Sequence, residues 1–416
     1  MRQLFCIEQK HHKMTQSKRL FSRFTSLLIL PIATTMRCNE RLVDHKTLSR
    51  FFMPFYTASA LALMLLLVGC GAQNSETTAD GGAAQQTFQW KLVTTWPKNY
   101  PGLGTAPENF AKKVAAMSNG RLQIKVYGAD QLVPAFEVFD AVSQGTVQMG
   151  HGAAYYWTGK ARAAVFFTSI PFGLNAQEMN AWLHYGGGLE LWRELYEPFN
   201  LVPFAAGNTG VQMAGWFNRE INSMEDIKGL KMRIPGFGGD VITRAGGISV
   251  NIPGGELYTS MQTGVIDATE WVGPYNDLAF GLHQVAKYYY YPGWHEPGPS
   301  LELIVNKQAL EALPDDLQAI VETAARAVNQ DMLDEYTARN NRALEELVEV
   351  HGVELRQLPD EVLANLRAIS QTIAEEMAAD NPLTKRIADS VANFKQQATA
   401  YHRISEEAYY RARSER

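Results

Sequence analysis

The stretch ELYTSMQTGVIDATEW, residues 256–271, carries a helix pattern into a short strand, and the strand delivers a carboxylate, Glu270, directly against an indole, Trp271. A glutamate among apolar residues is seldom buried without a partner. Glu270 therefore either faces water or meets something positive inside the fold. Working outward, the alternation of strand and helix recurs on both sides. Upstream lie GVQMAGWFNR (210–219), strand KMRIPG (231–236), helix GGDVITRAGG (238–247) and strand ISVNIP (248–253). Earlier still, FQWKLVTTW (88–96) alternates as a strand, APENFAKKVAAMSNG (106–120) reads as a helix closed by Gly120, and RLQIKVYG (121–128) alternates again. FEVFDAVSQGTVQMGHG (136–152) reads as helix then strand. Downstream, KYYYYPGW (287–294) is followed by a buried strand, SLELIVNK (300–307), and a helical pattern opens near Pro314 with Asp315 and Asp316 in its first turn. Repetition of this kind predicts an α/β fold with helices on the faces of its sheets.

The chain has 416 residues, room for two domains, and 46% of them are hydrophobic. Its three cysteines, Cys6, Cys38 and Cys70, all lie early, so nothing after Cys70 can form a disulfide or a Cys-ligated zinc site. Residues 51–70, FFMPFYTASALALMLLLVGC, follow Arg41, Lys46 and Arg50. A basic flank, an apolar run and small residues before a cleavage point predict a signal peptide over 1–70. Its end, Leu67-Val68-Gly69-Cys70, resembles a bacterial lipobox, with Cys70 lipidated as the first mature residue; the alternative is an ordinary signal peptide with an incidental cysteine. Residues 1–35 fit neither pattern, and the start is read at Met36 or Met53. GAQNSETTADGGAAQQ (71–86) is small and polar, a flexible tether running to residue 87. Residues 1–70 carry 10 Lys and Arg against 3 Asp and Glu, which leaves 28 against 40 and a net charge of −12 for the rest. An acidic body argues against a nucleic-acid partner, but not against an anionic ligand whose site supplies its own cation.

In 384–412, Ile387, Val391, Phe394, Ala398 and Tyr401 recur at spacings of four and three, the seam of a helix packed lengthwise on another helix. The stripe fits packing within its own chain and a helix exchanged across a homodimer equally well.

Catalytic signatures are thin. HEPG (295–298) lacks the second histidine of a zinc-binding helix, and no GxSxG elbow, P-loop or GxGxxG turn is present. PGFGGD (235–240) is a Gly-rich turn able to greet an anion with backbone N–H groups, although such a stretch more often simply joins strand to helix. Three polar residues do interrupt strand ends: Gln212, Arg233 and Glu270. In open α/β sheets such ends bind ligands. An arginine grips a carboxylate with two parallel hydrogen bonds. A glutamate beside the same anion is repelled unless a cation lies between them, and a cage of carboxylate, amide and carbonyl oxygens suits a hard metal ion. The plainer alternatives are a surface ion pair of Arg233 with Glu225 or Asp226, a turn capped by Gln212, and a direct Arg233–Glu270 salt bridge.

Together TTWPKNYPG (94–102), VFDAVSQGTVQMGHGAAYYW (138–157), INSMEDIKGLKMRIPG (221–236) and ELYTSMQTGVIDATEW resemble the extracytoplasmic solute receptors of TRAP transporters, the DctP-type family, over about 88–375. YYYYPGWHEPG (288–298) and ATEW resemble the subgroup that binds 2-oxo acids or similar small monocarboxylates with a metal cation. The resemblance implies a two-lobed periplasmic binding protein, a clamshell with the ligand cleft between lobes and a long C-terminal helix. Its expected parts are lobe I at 88–209, lobe II at 210–297, a return to lobe I with a hinge helix at 298–340, and a C-terminal helical region at 341–416. It implies that Arg233 grips the ligand carboxylate, that Gln212, Glu270 and the main-chain oxygen of Trp271 hold Na⁺ or Ca²⁺, and that Tyr156 hydrogen-bonds the ligand. Glu296, Asn208 and Trp96 are expected to line the cleft. Trp271, where many relatives that bind larger acids have Asn, implies a small ligand. The implied partners are membrane permease subunits on other chains, and the implied location is the periplasm. Two other readings fit the residues: a periplasmic metal-assisted enzyme acting on a 2-oxo acid, with Glu270 as base and His295 as acid, and a receptor that feeds a sensor kinase.

Overall fold

The computed structural model describes residues 86–414; Cys70, the signal segment and nearly all of the tether lie outside the described residues. Two sheets organise the chain. The first joins β1 (Phe88–Thr94), β2 (Leu122–Tyr127), β3 (Met149–Gly152), β4 (Leu201–Asn208) and β10 (Ser300–Asn306) in the order β2-β1-β3-β10-β4. The second joins β5 (Gly215–Phe217), β6 (Lys231–Arg233), β7 (Ile248–Val250), β8 (Ala268–Thr269), β9 (Tyr288–Tyr291) and β11 (Glu354–Gln357) in the order β11-β9-β5-β8-β6-β7. In each sheet one strand runs against its neighbours: β10 pairs antiparallel with β3 and β4, and β5 with β8 and β9. The remaining observed pairs are parallel, as strand–helix–strand crossovers require.

The local reading of the first lobe follows its burial. The helix Thr105–Met117 buries Phe110, Ala111 and Val114 on one face, and Gly120 beyond it takes φ 77°, with its N–H on the Ala115 carbonyl at 2.8 Å. That left-handed turn is what glycine supplies at a helix end. All seven residues of β10 are buried because the strand lies between two others and under helices.

Chain crossings between the sheets are few. Residues 209–214 lead from β4 to β5, residues 292–299 return from β9 to β10, and the helix Asp315–Glu349 leads from the first sheet towards β11. The first two crossings lie against each other, with the Gln212 N–H donating to the Glu296 carbonyl at 3.1 Å. They approach so closely at Gly293 that a Cβ there would stand 2.0 Å from the Gln212 oxygen, which excludes any other residue. The third crossing is 35 residues long, about 50 Å of helix at 1.5 Å per residue.

The stripe in 384–412 divides. The helix Pro382–His402 buries Ile387 and Val391 against its own chain, and Ser390 accepts a hydrogen bond from the Trp182 indole at 3.1 Å. Towards its end the seam loses cover, with Tyr401 64% and Ile404 77% exposed, and a separate helix, Glu406–Arg413, follows a break.

One carboxylate sits in the middle of the first sheet. Glu302 on β10 is fully buried and accepts hydrogen bonds from the Trp157 indole and, at 3.0 Å, from the Tyr196 hydroxyl. Burial pushes its carboxyl up to about 7, against the lowering effect of those two donors. The folded state therefore holds this proton over a range in which the unfolded chain releases it, and stability from this group is lost as pH rises from the unfolded value towards 7. In Glu302→Gln the group cannot ionise. Denaturant unfolding at pH 4 to 8 is expected to show the variant gaining on the wild type by about 3 kcal/mol over that range. Parallel pH curves for the two proteins would contradict this.

Candidate functional site

The parallel strands of both sheets point their C-terminal ends at one region, and the loops leaving those ends supply the site. Trp96 leaves β1, Tyr156 leaves β3, Arg233 closes β6, and Glu270 with Trp271 leaves β8. The two crossing segments add Gln212, His295 and Glu296. In the parallel pairing of β6 and β8, Arg233 lies opposite Thr269, so the guanidinium and the next side chain, Glu270, meet at adjacent strand ends.

Arg233 and Glu270 form a buried ion pair, with side chains 1% and 0% exposed. Arg233 also donates to the Glu270 carbonyl at 3.2 Å, to the Ile252 carbonyl at 3.1 Å and to the Tyr156 hydroxyl at 3.3 Å. Its guanidinium stands over the Trp271 ring, 5.2 Å from the centroid. Burial opposes the arginine's charge, but the carboxylate and the neighbouring tyrosine hydroxyls outweigh it and raise its pKa. The surface-pair alternative does not occur: Glu225 pairs with Lys228, and Asp226 accepts the N–H groups of Asn222 and Ser223. The direct Arg233–Glu270 bridge, the plainest of the alternatives, is the arrangement found.

On its other oxygen Glu270 meets His295 Nε2 at 3.4 Å. Gln212, which lies on a crossing and not within a strand, donates its amide N–H to Glu296 Oε2 at 2.8 Å and to Thr209 Oγ1 at 3.2 Å. Its amide oxygen is buried with no hydrogen-bond partner. Burial raises the Glu296 pKa well above the ordinary carboxyl range, the nearby Glu270 charge adds to this, and Arg233 opposes it. Glu270, His295 and Glu296 each bring one ligand atom to within 4.8 Å of the others. An orphaned buried amide oxygen beside a buried carboxylate is the donor type a hard cation takes. The oxygen donors here are the Glu270 and Glu296 carboxyl groups and the Gln212 amide, and the Trp271 main-chain oxygen has no hydrogen bond among the described residues.

The aromatic wall is continuous. Trp271 stands edge-on to Trp96 at 6.2 Å and to Tyr100 at 6.3 Å, and Trp96 lies 6.0 Å from the Tyr156 ring. Room for the indole comes from Gly254, where a Cβ would fall 2.3 Å from a Trp271 ring carbon. Trp96 donates its indole N–H to His151 Nδ1 at 2.9 Å. His151 in turn donates from Nε2 to the Ala206 carbonyl at 3.1 Å, in keeping with burial lowering its pKa to about 4 and leaving it neutral. Asn208 lies at the first crossing, where its oxygen accepts the Gly210 N–H at 2.9 Å and its amide donates to the Gly298 carbonyl at 3.3 Å. It braces the two crossings together.

Sequence reasoning did not single out Thr209, nor the two buried groups behind the site. Asp277 accepts the Trp216 indole N–H at 2.9 Å and the Tyr289 hydroxyl at 2.7 Å, and Asn276 donates to the Pro101 carbonyl at 2.9 Å from across the cleft. Their signal was a pair of polar residues, Asn276-Asp277, three and four residues beyond Gly273.

Comparison with known proteins agrees with this architecture. The chain is 44% identical over 355 residues to the monocarboxylate 2-oxoacid-binding periplasmic protein of Nostoc sp. strain PCC 7120, covering 85% of this chain and 96% of that protein. The crystal structure of a TRAP periplasmic solute-binding protein from Colwellia psychrerythraea with bound calcium and pyruvate is 44% identical and superposes with a TM-score of 0.77, covering 79% of this chain and 100% of that one. A TRAP periplasmic solute-binding protein from Pseudoalteromonas atlantica, with bound sodium and pyruvate, is 42% identical with the same coverage and TM-score. Residues 92–381 match the DctP family, bacterial extracellular solute-binding protein family 7. The two-lobed α/β fold is thus that of the TRAP receptors, and the chain, a solute-binding protein and not an enzyme, belongs to the DctP family.

Proposed function

We propose that this chain is the extracytoplasmic receptor of a TRAP transporter and that it binds a small 2-oxo monocarboxylate, pyruvate or a near analogue, together with Na⁺ or Ca²⁺. The observation that carries the reading is the buried Arg233–Glu270 pair beside an unpartnered Gln212 amide oxygen. A carboxylate entering this pair alone would leave a buried net negative charge. Entering with a monovalent cation, it leaves the charge of the site unchanged, and each ion gains a counter-charge. In this reading Arg233 takes the solute carboxylate with Tyr156 beside it, while Glu270, Gln212 and the Trp271 main-chain oxygen hold the cation. Trp96 and Trp271 limit the solute to a small acid. The similarity to receptors that hold pyruvate with sodium or calcium supports the same assignment.

The lobes are taken as 88–209 with 298–340, and 210–297, turning about the two crossings that Asn208 and Gly293 join. Closure excludes water from the ions and so strengthens both contacts. The closed receptor docks on permease subunits supplied by other chains. The location is the periplasm, with anchoring through a lipidated Cys70 and the tether 71–87. The exposed end of the C-terminal helix, with Tyr401 and Ile404, is assigned to a homodimer contact.

Pyruvate is expected to raise the unfolding temperature only when Na⁺ or Ca²⁺ is present, since a ligand at free concentration c that binds the folded state stabilises it by RT ln(1 + c/Kd), and in this reading the cation is needed for a small Kd. Arg233→Ala should weaken pyruvate binding by roughly 2–5 kcal/mol in calorimetry, because the desolvated carboxylate loses its charge partner. Wild-type affinity in that variant would remove the assignment. For the dimer, light scattering of the chain should give twice the monomer mass, and truncation after Thr399, which spares the buried Ile387 and Val391, should return it to monomer; the same oligomeric state for both would rule the contact out.

A further inference from the structure

We infer that Glu296 and Thr209 are positioning residues that decide which end of the Gln212 amide faces the cation. This rests on the binding reading above, in which the Gln212 oxygen is a cation ligand. An amide presents an oxygen and an NH₂ of nearly the same shape, and only the oxygen can hold a cation. Here both hydrogens of Nε2 have acceptors, Glu296 Oε2 at 2.8 Å and Thr209 Oγ1 at 3.2 Å. The Thr209 hydroxyl proton is itself committed, donating to the Gly210 carbonyl at 3.2 Å, so Thr209 turns only lone pairs towards Gln212. The oxygen end is left buried and unpartnered. A flipped amide would set its oxygen against the lone pairs of Thr209 Oγ1, whose proton is already given to Gly210, and turn its NH₂ to the cation.

The backbone holds the same two residues together. The Gln212 N–H donates to the Glu296 carbonyl at 3.1 Å, across the two crossing segments. Thr209, Gln212 and Glu296 are all 5% exposed or less, so water does not offer either end of the amide a substitute partner. In this reading Glu296 acts on the cation through Gln212.

The test uses Thr209→Val, which removes the hydroxyl at nearly constant shape, and Glu296→Gln, whose own amide can approach Gln212 with either end. Pyruvate binding is measured by calorimetry while Na⁺, and separately Ca²⁺, is titrated. Each variant is expected to raise the half-saturating cation concentration about tenfold or more, the usual effect of losing a partner behind a metal ligand. At saturating cation, pyruvate affinity should return to the wild-type value. A folded variant with an unchanged half-saturating cation concentration overturns the inference, and so does a loss of pyruvate affinity that persists at saturating cation. Should Glu296→Gln fail to fold, Thr209→Val decides on its own. Failure of the underlying reading looks different: wild-type protein would bind pyruvate indifferently to either cation.

Discussion

Arg233 and Glu270 meet at the ends of two adjacent parallel strands, both out of contact with solvent, and the rest of the site is arranged around their opposite charges. Removing two ions from water is costly, and their attraction offsets that cost only when the remaining donors and acceptors are also satisfied. Arg233 meets that condition with two main-chain carbonyls and a tyrosine hydroxyl, and with the face of Trp271. Glu270 meets it less fully, with a single long contact to His295 on its second oxygen. Local structure serves the pair: the β6–β8 register places the two side chains, and Gly254 leaves space for the indole that covers them.

The same region is where the chain passes between sheets. Gln212 and Glu296 lie on neighbouring crossings, so any movement of one sheet against the other is felt at their hydrogen bonds. Tyr156 reaches Arg233 from the first lobe, and Asn276 of the second lobe reaches the Pro101 carbonyl of the first. The proposed ion site and the proposed hinge thus share one set of contacts. In the proposed reading, an ion held by Glu270 and Gln212 would join a strand end to a crossing and so couple a local charge to the movement of one sheet against the other.

Much of this was legible in the sequence. The strands that alternate or run apolar, from FQWKLVT to SLELIVN, appear where their patterns put them, since burial on one or both faces is what creates those patterns. The strand Glu354–Gln357 was not legible: it is an exposed edge strand, ELRQ, with every residue facing solvent, so no hydrophobic period marks it. The break after His402 went unseen because 384–412 was read as one helix, although its apolar stripe ends at Tyr401. Arg233, Glu270 and Trp271 were visible as polar or bulky residues at strand ends, and Gln212 as a polar break in an apolar run, although it lies on a crossing. Thr209 was not, because its role depends on which partner takes its proton. Glu302, a lone carboxylate in an apolar strand, carried a signal that passed as part of the strand.

The most direct measurement is a crystal structure of the protein grown with pyruvate and Ca²⁺. The account predicts that the Arg233–Glu270 contact is opened, with the pyruvate carboxylate on the guanidinium and the calcium on Glu270, the Gln212 amide oxygen and the Trp271 carbonyl. Pyruvate bound while Arg233 and Glu270 remain in direct contact, with no ion between solute and glutamate, would contradict it.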